Sequence, residues 1–198
     1  MPRHLNRLLL LVCLAVCVNA HAGLEFFGKG SVSKNFIDVD NSTVEVDVSG
    51  GAAISLFTGF RLEARYTNVS ALQNKLDVIS GSLVGTLSNI TTQTEIYSIG
   101  IDIDFLGEKS SFQPYIYVGA GYIQSSRSYY YTQAGATTAT YFAEPAQNGI
   151  SANGGAGFRI HLAKSLALEF ELFAYGLDVD KPGPLINYFG SAGLRIFI

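Results

Sequence analysis

The last thirteen residues of the chain, Ile186 to Ile198, alternate without a break. Ile198, Ile196, Leu194, Ala192, Gly190 and Tyr188 share one parity; Phe197, Arg195, Gly193, Ser191 and Phe189 share the other. Period two is the mark of a strand, because successive side chains leave a pleated backbone on opposite faces. One face suits lipid and the other a polar lumen. A strand that ends without a polar tail leaves an unpaired edge, which templates aggregation unless another strand covers it. The expectation is a closed sheet in which this last strand pairs with the first.

Seven further segments alternate over the 9 to 11 residues typical of a tilted, membrane-crossing strand. They are Leu24 to Lys34, a segment ending in Gly50 to Leu56, Phe60 to Thr67, Tyr97 to Phe105, Tyr115 to Tyr122, Ser151 to Leu162, and Leu166 to Tyr175. Eight is an even number, as a single-chain up-and-down barrel needs. Short connections (Thr58-Gly59, Gly107 to Gln113, Ala163 to Ser165) alternate with long ones: Asn35 to about Thr43, about Ala71 to Gln93, about Ser125 to Asn148, and Asp178 to Leu185. In such barrels the short turns face the periplasm and the long loops face outward. The fold class expected is an all-β, eight-stranded antiparallel up-and-down transmembrane barrel.

The opposite end of the chain reads as a leader. Arg3 and Arg7 precede an apolar run from Leu8 to Val18, and Ala20-His21-Ala22 offers small residues at the cleavage positions. This is a secretory signal peptide pattern over residues 1–22, too short to cross a bilayer as a helix. Residues 23–198 are then one domain. They contain no Cys, Met or Trp, and their only histidine is His161. No disulfide, no His/Cys metal site and no cofactor is expected. The net charge of −3 becomes more negative without the two arginines, and there is no basic stripe, so nucleic acid is excluded as a partner.

Charge decides which face is which. Turning Phe60, Leu62, Ala64, Tyr66, Ile99, Ile101, Ile103, Phe105, Phe158, Ile160, Leu166, Leu168, Phe170 and Leu172 toward lipid sends Arg61, Glu63, Arg65, Asp102, Asp104, Arg159, His161, Glu169, Glu171 and Arg195 inward. A slip of one residue reverses all of them. Each arginine facing lipid near the midplane costs about 2 to 4 kcal/mol, so the reversed register loses. Eight strands enclose only enough room for their own side chains. The four arginines and five carboxylates are therefore expected to pair as a structural network across the lumen, rather than the Glu169/Glu171 and Asp102/Asp104 pairs serving as a glycosidase or cation site.

Three segments carry a family resemblance. Pro114-Tyr115-Ile116-Tyr117-Val118-Gly119-Ala120-Gly121-Tyr122 resembles the "PYVGAGxGY" strand of the OmpA-like and opacity-protein superfamily of small outer-membrane barrels. Gly154 to Ile160 followed by Leu166 to Leu172 is similar to that superfamily's sixth and seventh strands, and Gly193 to Ile198 to its closing strand. Two departures are expected to matter: Ile198 occupies the place of the usual terminal aromatic, and tethering to the cell wall through a peptidoglycan-binding domain after the barrel is not expected. The resemblance implies a non-enzymatic protein of the bacterial outer membrane, structural or of adhesin or serum-resistance type, with its function in extracellular loops. It implies contacts with outer-membrane lipid and lipopolysaccharide, recognition of the C-terminal strand by the outer-membrane assembly machinery, and a monomer.

Within the third long connection, Tyr129, Tyr130, Tyr131, Tyr141 and Phe142 are the candidate contact residues for an extracellular ligand, since tyrosines offer large, rigid, amphipathic area. The competing reading places them in strands that extend beyond the membrane, as part of an interfacial aromatic belt. Two other functions remain open on the residues alone. A narrow porin or small-solute channel needs an unobstructed lumen, and a lipid-modifying enzyme needs a His beside a Ser on the lipid face, where His161 does not fall by parity.

Overall fold

The computed structural model describes residues 23–36, 42–80, 83–106, 110–177 and 185–198. The expected leader, 1–22, lies outside the described residues, as does nearly all of the fourth long connection. Among the described residues nine strands follow in chain order: β1 (Leu24–Phe36), β2 (Ser42–Phe57), β3 (Phe60–Ser80), β4 (Leu83–Asp104), β5 (Phe112–Gln133), β6 (Thr140–Ala143), β7 (Gln147–Ala163), β8 (Leu166–Leu177) and β9 (Leu185–Phe197). Every pairing is antiparallel. The β1–β9 pairing closes the wall, and β6 adds only to the end of β5, so the barrel has eight staves.

Register sets the diameter. Paired residues followed once around the wall run Phe197, Glu25, Ala53, Glu63, Gly100, Gly119, Asn153, Tyr175, Asn187, returning to β9 ten residues from the start. A shear of ten on eight strands tilts them by about 40° and leaves a bore that side chains fill.

The outward face is apolar: Leu62, Ile99, Ile101, Val118, Ile150, Phe158, Ile160, Phe170, Leu172, Leu194 and Ile196 are all exposed. Two aromatic belts bound it. Phe57, Phe60, Phe105 and Phe112 ring the short-turn end, and Tyr66, Tyr97, Tyr122 and Tyr188 ring the other. On β5, Phe112 and Tyr122 mark the two belts, and ten residues of strand tilted by ~40° rise roughly 25 Å, the height of a membrane barrel's apolar band. Phenylalanine pairs pack within the lower belt (Phe57–Phe60, 4.5 Å; Phe112–Phe158, 5.5 Å). In the upper belt Tyr66 and Tyr97 pack at 5.0 Å, and both hydroxyls donate to Glu95 just above them.

The structure corrects two of the long connections. The described residues of the stretch from about Ala71 to Gln93 are strand, not loop: β3 and β4 pair from Phe60–Ile103 out to Ser80–Leu83. The stretch from about Ser125 to Asn148 is likewise mostly strand, because β5 continues to Gln133 and folds back as β6. These extensions carry Thr, Ser, Gln and Tyr on both faces, so no apolar alternation marks them, although such residues suit a strand wetted on both sides. At 21 or 22 residues, β3, β4 and β5 outrun the 12 or 13 of β1, β8 and β9, and with the top of β2 and β6 they form a fin above the Tyr belt. A register shift between Ser88 and Thr91, with Asn89 at a φ of 49°, bends the β4 side of the fin. Asparagine tolerates that left-handed conformation better than most residues.

Candidate functional site

Parity places Glu25, Phe27 and Lys29 of β1, Arg61, Glu63 and Arg65 of β3, Asp102 and Asp104 of β4, Arg159 of β7, Glu169 and Glu171 of β8 and Arg195 of β9 on the inward face, and their charged side chains are almost wholly buried. They meet in three storeys. Nearest the short turns, Arg61 donates to Glu25 (2.5 Å) and to Asp104, while Arg159 donates to Asp104 (2.6 Å) and Asp102. In the middle, Arg195 reaches Glu169 (2.5 Å), Glu63 (2.8 Å) and Glu25 (3.0 Å), and Tyr115 donates its hydroxyl to Glu169 (2.7 Å). Above them, Arg65 bridges Glu63 (2.6 Å) and Glu171 (3.1 Å), and Lys29 bridges Glu169 (2.8 Å) and Glu171.

Rings fill the gaps between charges. Arg159 lies 3.8 Å from the Tyr115 ring centroid, and Arg65 sits 4.2 Å from Tyr117 and 4.8 Å from Phe173. Cations on desolvated aromatic faces gain on the order of 1 to 2 kcal/mol. Glycine makes the rings fit: a Cβ on Gly100 would stand 2.6 Å from the Tyr117 ring, and one on Gly157 2.9 Å from Tyr115. Toward the fin Val69, Ile96, Ile123, Phe173, Tyr175 and Phe189 cluster in the lumen beside the buried polar side chains of Asp47, Thr67, Ser151 and Asn153. Phe189 packs 5.4 Å from Phe173 and 6.3 Å from Tyr175.

All nine sequence-derived lumen residues (Arg61, Glu63, Arg65, Asp102, Asp104, Arg159, Glu169, Glu171 and Arg195) thus fall within one connected set of ion pairs. Sequence reasoning left out Glu25 and Lys29, although both share one parity of β1, opposite Leu24 and Phe26. Their inclusion gives five cations against six carboxylates. His161 stands apart at the short-turn mouth, hydrogen-bonded to Gln113 (2.8 Å) and stacked on Phe197 (5.1 Å). Around it opens a vestibule of ≈ 660 Å³ lined by Glu25, Arg61, Gln113, His161, Lys164 and Phe197. The ion pairs of Arg61 and Arg195 lie at its inner end.

Salt bridges and then packed rings cross the lumen, an arrangement expected to occlude it. Planar-bilayer recordings of the wild-type protein should show no steady large conductance. A reproducible, long-lived open channel would contradict the occlusion and make the narrow-pore function the leading one.

The five candidate contact residues occupy the fin. Tyr129, Tyr130 and Tyr131 lie on β5, with Tyr141 and Phe142 opposite them on β6. Tyr129 stacks on Phe142 at 5.7 Å, and Tyr130 packs on Tyr141 at 5.4 Å. They are a paired, two-sided aromatic ladder rather than a loop; Tyr141 is 57 % exposed and Phe142 43 %. They stand above the Tyr66/Tyr97 belt and do not belong to it.

No protein-family model and no curated protein sequence matches the chain. Solved structures do resemble it. Neisserial surface protein A (NspA) aligns with a TM-score of 0.52 at 12% identity, over 89% of this chain and 99% of that one. The N-terminal β-barrel domain of Pseudomonas aeruginosa OprF gives 0.47 at 15%, over 89% and 97%. Ail, the attachment invasion locus protein of Yersinia pestis, in complex with the heparin analogue sucrose octasulfate, gives 0.41 at 8%, over 89% and 96%. At these identities the likeness is one of fold, and the NspA match agrees with a closed eight-stranded antiparallel wall.

Proposed function

We propose that this chain is a non-enzymatic barrel of the bacterial outer membrane, exported by a cleaved leader, whose role is a surface interaction carried by the fin. The observation that carries this reading is the division of the molecule. The wall is apolar outside and crossed inside by a network of ion pairs beyond the short-turn vestibule, which suits anchorage more than passage of a solute. The exposed aromatic ladder stands on the far side of the Tyr belt from the short turns, where a scaffold of this kind presents its variable and binding segments. Outer-membrane lipid and lipopolysaccharide surround the wall in this reading, and the assembly machinery engages β9.

An epitope tag replacing Ala134 to Thr138, the tip between β5 and β6, tests the orientation. Antibody should stain intact cells expressing the tagged protein. Staining only after permeabilisation would put the fin in the periplasm and remove the surface role. Replacing residues 126–146 by a short turn should leave the barrel folded, because the β5–β7 ladder is complete at Ser125–Gln147.

A further inference from the structure

β6 is an edge. Among the described residues it pairs with β5 alone, through Ser128–Ala143, Tyr129–Phe142, Tyr130–Tyr141 and Tyr131–Thr140, and all four of its residues are exposed. Which backbone groups face the open side follows from the bond beside the ladder. The Glu144 N–H donates to the Arg127 carbonyl at 2.8 Å, which makes that pair a hydrogen-bonded one. Antiparallel pairs alternate, so Tyr129–Phe142 and Tyr131–Thr140 are bonded to each other, whereas the N–H and C=O of Tyr141 and Ala143 point away from β5.

Resting on the surface role proposed above, we propose further that β6 is a homotypic docking edge: β6 strands of two copies, anchored in opposed membranes, pair antiparallel. Two observations select a second copy as the occupant. From Ser128 to Ala143 there is no charged residue, so identical tips do not repel although the chain as a whole is acidic. The sheet's other edge, where β1 continues past its last pair with β9 at Gly30–Ala192, carries Lys34, a usual guard against edge pairing; β6 carries none.

Symmetry then fixes the arrangement. A self-complementary antiparallel ladder has its two-fold axis perpendicular to the sheet. In a barrel wall that perpendicular lies parallel to the membrane, so the two-fold turns the membrane normal over and the partners stand in facing membranes. A two-fold along the normal, as two neighbours in one membrane would need, leaves tilted strands crossing rather than paired. Centring the axis on Phe142 sets Tyr141 opposite the second copy's Ala143, so both outward-facing residues of each strand bond, and brings Phe142 against its own counterpart. Each four-residue ladder is weak, and many copies per membrane multiply it.

The test uses Phe142→Cys in the full chain, which has no cysteine beyond Cys13 and Cys17 in the leader. Facing residues of a non-bonded antiparallel pair stand at a separation a disulfide spans. Two cell populations, one bearing a long tag and one a short tag on this variant, are mixed under mild oxidant. Mixed-tag disulfide dimers are expected, since they form only between cells. Adding Tyr141→Pro, which removes an edge-facing N–H and leaves the β5 ladder intact, should lower their yield about tenfold or more. Tyr141→Lys, which places like charges across the axis, should lower it as well, and heat-dependent gel mobility verifies that each variant is folded. Only same-tag dimers, or no dimers while the tip is antibody-accessible, would overturn homotypic pairing and leave the surface role standing with a partner of other chemistry. A tip inaccessible on intact cells would overturn both.

Discussion

Replacing Arg195 by methionine should destabilise the folded barrel by about 3 kcal/mol, the lower part of the range for breaking a buried ion pair from one side. Arg195 is fully buried at the centre of the lumen and donates to Glu169, Glu63 and Glu25 on three other strands. Each of those carboxylates keeps a second cation: Glu169 keeps Lys29 and Arg159, Glu63 keeps Arg65, and Glu25 keeps Arg61. That redundancy is why the loss falls at the low end. The deeper cost is one of balance, because five cations already face six carboxylates. A double variant, Arg195→Met with Glu63→Gln, returns the network to its wild-type excess of one carboxylate and should recover part of the loss. Urea unfolding in lipid vesicles, followed by heat-dependent gel mobility, measures both. Equal stability of wild type and Arg195→Met would show that the network contributes nothing to the barrel.

Phe170→Arg should destabilise by roughly 2 to 4 kcal/mol, or abolish insertion. Phe170 points outward from β8, stacks on Phe158 at 5.0 Å and stands between Phe158 and Ala192 of the flanking strands. Its parity neighbours Leu168 and Leu172 belong to the same apolar band. A guanidinium there has no inward partner to reach, since the wall separates it from Glu169 and Glu171. Phe170→Leu keeps the transfer energy and should change stability by less than about 1.5 kcal/mol. Comparing both with wild type in the same vesicles isolates charge from packing, and a tolerated arginine would mean that this face is not in lipid.

Much of this was legible in the chain because a barrel wall has only two environments. Period two assigns every residue to one of them, and the high cost of arginine in lipid chooses between the two assignments. That reasoning placed the charges from Arg61 to Arg195 on the inward parity, the short turns at Thr58-Gly59 and Ala163 to Ser165, and the last strand beside the first. It failed on the strand extensions beyond the apolar band, where polar residues occupy both faces. There no solvent difference imposes alternation, so the fin read as long connections; of the two readings of Tyr129, Tyr130, Tyr131, Tyr141 and Phe142, the one that extends the strands agrees with the ladder, while their assignment to the belt does not.

What only the tertiary structure decided is which charges meet. Lys29 and Glu171 are 142 residues apart in sequence, and Arg195 and Glu25 are 170 apart. Local pattern carries no information on such pairs, because they depend on the shear. A shift of register between any two strands preserves each residue's face only if it is even, and it changes which storey of the lumen each side chain enters. The alternation of apolar and polar residues therefore determined inside and outside, as a consequence of solvent transfer energies acting on single residues. The ten-residue stagger, set by all eight ladders closing at once, determined the diameter and the partners of each arginine.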